Sequence, residues 1–177
     1  MFVFRFSEYR GGTVKVIVMR HGDAVFQGGD RVLSSRGEQE AKLTGMKLVS
    51  HLAITKIISS PKQRAIQTAE IVRSLLRGRQ IPQVELLPEL SPSGDAHTVF
   101  DYVNAIGSPD DTILLVSHIP QVINLSYTFG YRQMEVPMFY TAAAMVLEKV
   151  NPEDELFVAK SFYHPNGEKL IHTPSLA

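Results

Sequence analysis

Val16-Ile17-Val18-Met19-Arg20-His21-Gly22-Asp23 is the stretch on which the reading of this chain turns. Its four leading apolar residues, three of them β-branched, suit a strand buried on both faces. The run ends abruptly in Arg-His-Gly. A guanidinium beside an imidazole at the carboxyl end of a strand suits attack on a phosphoryl group. Arginine grips phosphate oxygens bidentately, histidine can be the nucleophile, and Gly22 lets the backbone approach an anion. Three residues recur by chance in many proteins, so the weight rests on finding further cations at equivalent places.

Bulk composition narrows the classes. Eighteen Lys and Arg balance eighteen Asp and Glu among 177 residues. No global field therefore favours nucleic acid or an anionic membrane, and neither is expected as a partner. A chain 44% hydrophobic and 20% charged reads as a soluble domain of ordinary size. The absence of cysteine removes disulfides, cysteine nucleophiles and thiolate metal sites, and is compatible with the expected cytoplasmic location. The start, Met1-Phe2-Val3-Phe4-Arg5-Phe6, resembles a targeting segment until Glu8, Arg10 and Gly11-Gly12 interrupt it. No stretch approaches the roughly 20 apolar residues of a membrane span. Residues 1–12 are read as an extension, 13–164 as one domain and 165–177 as an irregular tail.

Along the chain, apolar runs alternate with helix-period segments. Strands are expected at 14–19, 56–59, 84–87 and 113–117. Helices are expected at 35–52, with Ala41, Gly45, Leu48, Val49 and Leu52 on one face, and at 95–106 and 120–128. Another helix is expected from Ser60, with Pro61 at its first position and Gln63 completing a capping box, to about residue 76 with Gly78 as its stop. Residues 23–33 read as a glycine-containing loop and 131–141 as a loop with Pro137. Two late strands, 142–150 and 156–163, flank an Asn151-Pro152-Glu153-Asp154 turn. The alternation implies an α/β three-layer sandwich, a mostly parallel sheet between helices to which the late hairpin adds an antiparallel strand.

Three strand-to-helix junctions each carry a group suited to an anion. The first supplies Arg20 and His21. The second, Ser59-Ser60-Pro61-Lys62-Gln63-Arg64, places Arg64 in the first turn of a helix. The third, Val116-Ser117-His118-Ile119-Pro120, sets His118 at a strand end before another helix. Taken singly, Arg64 reads as a solvated helix residue and His118 as a core or capping histidine. In open α/β sheets, however, ligands bind outside the carboxyl ends of the strands. All four groups then converge on one pocket.

These segments resemble the histidine phosphatase superfamily, with its phosphoglycerate-mutase-like fold, and within it the small SixA-type phosphohistidine phosphatase branch. The matching strings are Met19-Arg20-His21-Gly22-Asp23-Ala24, Leu33-Ser34-Ser35-Arg36-Gly37 and Ser60-Pro61-Lys62-Gln63-Arg64-Ala65-Ile66-Gln67-Thr68. Leu87-Pro88-Glu89-Leu90-Ser91-Pro92-Ser93-Gly94-Asp95, Val116-Ser117-His118-Ile119-Pro120 and Pro137-Met138-Phe139 follow in family order. The resemblance implies that His21 attacks phosphorus through a neutral ring nitrogen, its other nitrogen held by a backbone carbonyl. Arg20, Arg64 and a protonated His118 would hold the phosphate oxygens, with Gly22 beside them. No metal or other cofactor is expected, and no zinc-ligand spacing is present. Many superfamily members use a glutamate at the place of Glu89 as proton donor. A phosphohistidine substrate releases imidazole and needs such an acid less, so Glu89 is read as that donor, as an indirect contact of the phosphate pocket, or as a cap on the Ser91–Asp95 turn.

Asp95 is read as a helix N-cap, His51 as a partner of helix C-terminal carbonyls, His97 as a surface residue and Lys62 as a solvated lysine, with the pocket rim as its alternative place. His164 and His172 have no assigned partner. The short interval between Arg64 and His118 leaves little chain to cover the pocket. The expected substrate is therefore a phosphorylated protein, such as a histidine-phosphotransfer domain or a phosphocarrier, with phosphate or vanadate as pocket ligands. The rival readings are a phosphatase of small phosphate esters on the same core and a non-catalytic phosphoprotein-binding module.

Overall fold

A computed structural model describes residues 12–132 and 135–171 of the chain. The expected N-terminal extension, up to residue 11, and His172 lie outside the described residues. The chain lays down strand β1 (Lys15–Arg20), the hairpin β2 (Ala24–Gln27) and β3 (Asp30–Leu33), and helix α1 (Ser35–His51). Strand β4 (Lys56–Ser59), helix α2 (Gln63–Leu75), strand β5 (Val84–Leu86) and a 3-10 turn (Pro88–Leu90) follow. Then come α3 (Ala96–Ile106), β6 (Thr112–Ser117), α4 (Gln121–Phe129), β7 (Ala144–Glu148), β8 (Val158–His164) and β9 (Gly167–Leu170).

Seven strands form one sheet in the order β5-β4-β6-β1-β7-β8-β9. The first four run parallel, and β7, β8 and β9 add an antiparallel wing. Because side chains alternate along a strand, Ile17 and Met19 join the core beneath α1 and α2, whereas Val16 and Val18 join the core beneath α3 and α4. All six residues of β6 are buried, which is why the central strands read as unbroken apolar runs. The three-layer α/β sandwich is the expected one.

Local departures have local causes. The expected loop 23–33 is a hairpin turning through Gly28 and Gly29 at φ 62° and 86°, values a two-residue hairpin turn requires. Leu33 N–H donates to Gln67 Oε1 at 2.8 Å, fastening the hairpin to α2. Helix α2 starts at Gln63 rather than Ser60, capped by Lys62 without a side-chain bond. Ser60 still belongs to the sheet, its N–H donating to Val116 O at 3.0 Å. The expected tail after residue 164 turns back as β9, whose Glu168 and Lys169 pair with Tyr163 and Phe162. Asp95 caps α3, accepting from His97 and Thr98 N–H, and His51 stacks on Tyr163 with ring centroids 6.1 Å apart.

Phe129 is fully buried at the end of α4 and meets Phe100 and Phe157 edge-on, each at 5.2 Å between centroids. Phe129→Ala empties that volume and is expected to lower unfolding stability by about 3–5 kcal/mol, read from the urea midpoint. A loss under 1 kcal/mol would contradict this packing.

Candidate active site

Strand register assembles the cluster. Arg20 pairs with Ser117 across β1 and β6, and Ser59 pairs with Val116 across β4 and β6. Strands β1 and β6 therefore end level and β4 one residue short of them, and the residues just beyond them, His21, Ser60 and His118, meet. His21 N–H continues the ladder to Ser117 O at 3.0 Å. The His21 and His118 rings lie 4.9 Å apart, tilted by 59°. Arg64, in the first turn of α2, brings Nε to 3.2 Å from His21 Nε2.

The hydrogen bonds define which atoms are available. His21 Nδ1 lies 2.7 Å from Gly22 O. A carbonyl can only accept and a guanidinium can only donate. His21 is therefore the Nδ1–H tautomer, and its Nε2 carries the lone pair. His118 Nε2 lies 2.8 Å from Ser60 Oγ, which also accepts from Lys62 N–H at 3.2 Å. The Ser60 hydroxyl can donate or accept here, and with Ser60 as the donor the ring proton lies on His118 Nδ1. That nitrogen is buried without a partner, as is Arg20 Nε. Arg20 is anchored instead through Nη1, which donates to Phe139 O at 2.8 Å. Buried donors left unpaired are costly, and such groups ask for a ligand.

The charge is only partly compensated, by Glu40 and Asp23 acting on Arg20 and Asp30 on Arg64. Among the described residues neither Arg20 nor Arg64 forms an ion pair. Burial lowers the pKa of His21 to about 4, against the Gly22 hydrogen bond that raises it and with Arg64, Arg20 and Arg31 adding to the fall. Burial lowers His118 to about 3, helped by His21, Arg64, Lys62 and Arg31. In the anion-free site this disfavours the protonated ring expected from sequence, and a bound anion would act in the opposite direction.

Other site residues are placed differently from expectation. Gly22 N–H donates to Thr68 Oγ1 at 3.1 Å, and a Cβ on Gly22 would lie 2.4 Å from Gly37 O. The close approach of α1 by itself demands glycine there. Glu89 Oε2 accepts from Asp95 N–H at 2.7 Å, and Glu89 O accepts from Gln121 Nε2 at 2.8 Å. Its carboxylate thus caps the Ser91–Asp95 turn. Sequence reasoning missed Ser60 as the partner of His118, Thr68 as the link between Gly22 and Arg64, and Arg31 as a further cation. Thr68 carried a signal, being one helical turn beyond Arg64 and donating to Arg64 O at 2.8 Å. A cleft of about 610 Å³ lies between α1 and α2 beside Glu38, Lys42 and Glu70. It lacks the unpaired donors and is away from this chemistry.

Residues 16–93 match the histidine phosphatase superfamily (branch 1). The phosphohistidine phosphatase SixA of Escherichia coli (strain K12) is 34% identical over 142 residues, spanning 73% of this chain and 82% of that protein. A SixA homolog of Haemophilus influenzae is 30% identical over 119 residues, spanning 62% of this chain and 73% of its own. The solved structure of the protein histidine phosphatase SixA complexed with tungstate superposes with a TM-score of 0.74 at 30% identity, covering 86% of this chain and 97% of that one.

Both histidines resist protonation when folded, so unfolded chains bind more protons below about pH 6.5. Stability is therefore full above that value and falls as the pH drops toward 4 and 3. Nitrogen-15 NMR of the imidazoles is expected to show both rings neutral at pH 6. Titration of either ring near 6.5 would contradict the burial argument.

Proposed function

The chain belongs to the histidine phosphatase superfamily, and on that premise we propose that it is a SixA-like phosphohistidine phosphatase that dephosphorylates a signalling or phosphocarrier protein. The observation that carries this reading is the His21 tautomer: Nδ1–H is spent on Gly22 O, and the Nε2 lone pair is presented beside Arg64. A neutral imidazole so held is a nucleophile ready at neutral pH.

In the proposed reaction the His21 Nε2 lone pair forms a bond to phosphorus while the P–N bond of the substrate breaks in line. The substrate imidazole, protonated from solvent on its other ring nitrogen beforehand, departs with that electron pair as a neutral ring and needs no strong acid of the enzyme. Water then attacks the phosphoryl group on His21 and loses a proton to solvent, the P–N bond to His21 breaks, and His21 is returned neutral with release of phosphate. Arg64, Arg20 Nε and His118 Nδ1–H meet the phosphoryl oxygens, whose charge is what catalysis of this transfer must stabilise. These groups supply the charge compensation that a metal supplies in other phosphoryl-transfer sites, and the reading expects turnover to survive chelation.

What supports phosphohistidine over an ester is the engagement of Glu89. An alkoxide leaving group calls for a positioned acid, and the Glu89 carboxylate is already bonded to Asp95 N–H. Release of phosphate from a phosphohistidine protein is therefore expected to change less than about threefold in Glu89→Gln, with esters turned over poorly by both forms. A hundredfold loss in Glu89→Gln would make Glu89 the acid. Turnover confined to esters would sustain the ester reading, and binding without turnover the non-catalytic one.

A further inference from the structure

Three of the four most exposed large apolar side chains among the described residues stand next to groups that build the phosphate pocket. Phe26, 81% exposed on β2, pairs across the hairpin with Arg31, whose guanidinium lies 5.8 Å from its ring centre. Arg31 is close enough for its charge to act on Arg20, His21, Arg64 and His118. Met138 and Tyr140, 67% and 60% exposed, flank Phe139, whose carbonyl holds Arg20. Phe139 itself is buried against Phe162, so the residues on either side of this anchor face outward. Ile119, also exposed, follows His118 directly. Three separate segments thus contribute apolar groups, each tied by one residue or one cross-strand pair to the pocket.

Apolar area held in water at the mouth of a polar site marks a surface that becomes covered. A free phosphate or a sugar phosphate has nothing to cover it with. The floor of the pocket adds a steric demand, because His21 and His118 are only 4% and 2% exposed. The phosphoryl group must arrive on a projecting side chain while the surface around it rests on the rim. The rim is also positive: Arg31 and Lys62 add to Arg20 and Arg64, while Asp30, Asp23 and Glu40 offset part of that charge. Opposite charge around an apolar contact steers partners and rejects wrong ones.

We infer that Phe26, Ile119, Met138 and Tyr140, with Arg31 and Lys62, form a collar that docks an acidic, apolar-centred face of the protein bearing the phosphohistidine. The assignment rests on the proposed function and goes beyond it by separating recognition of the protein from recognition of the phosphoryl group.

The test compares the wild-type protein with the double variant Phe26→Ser, Met138→Ser on two substrates. One is a histidine-phosphotransfer domain phosphorylated with phosphoramidate; the other is phosphoimidazole, which carries the same P–N bond and no protein. The collar predicts at least a tenfold rise in KM for the domain with kcat kept, and phosphoimidazole turnover within twofold of wild type. Equal activity on the domain overturns the collar alone. An equal loss on both substrates also overturns it, by placing these residues in the pocket rather than around it. A wild-type protein that hydrolyses neither substrate overturns the phosphohistidine reading and the collar together. Sedimentation of both forms gives a further check: a wild-type dimer dissolved by the substitutions would assign the collar to a second copy of the chain.

Discussion

The parallel register of β4, β6 and β1, which ends the three strands within one residue of one another, is the constraint on which everything else hangs. Parallel pairing fixes Ser59 against Val116 and Arg20 against Ser117, and the next residue of each strand enters the crevice above the sheet. A slip of one residue in either pairing would reverse the faces to which side chains point. The buried alternation of Ile17 and Met19 against Val16 and Val18 holds that register in place. The hydrophobic cores therefore position the site.

The cluster so assembled is unsatisfied as a free pocket. Arg20 Nε and His118 Nδ1 are buried without partners, and among the described residues neither Arg20 nor Arg64 forms an ion pair. Protonating His21, with its pKa lowered to about 4, costs on the order of 3 kcal/mol more than protonating a free imidazole. The same burial that keeps the ring neutral keeps it nucleophilic. A phosphoryl dianion relieves the strain by supplying acceptors to the donors and negative charge to the guanidinium groups. The pocket is thereby prepared for an anion before one arrives, as electrostatic preorganisation requires.

Arg20, His21, Arg64 and His118 were legible because each stands where an apolar run gives way to a helix, a place that topology alone converts into a crevice. The fold class was legible for the same reason. Ser60 was misread as a cap because its role depends on His118, distant in sequence, and capping and ring-bonding serines look alike in one dimension. The β2–β3 hairpin passed for a loop, since four-residue strands carry too little alternation and it is Gln67 that secures it. Arg31 was hidden with it. The charge state of His118 and the engagement of Glu89 depend on burial and on a backbone N–H six residues on. Local sequence encodes neither.

The central claim is that His21 Nε2 takes the phosphoryl group. Acid-free quenching during turnover of a phosphorus-32-labelled phosphohistidine domain, followed by peptide mapping, tests it most directly. The account predicts an alkali-stable, acid-labile label on His21 that disappears as substrate is exhausted. Turnover without any label on His21, or a label on His118 instead, would contradict it.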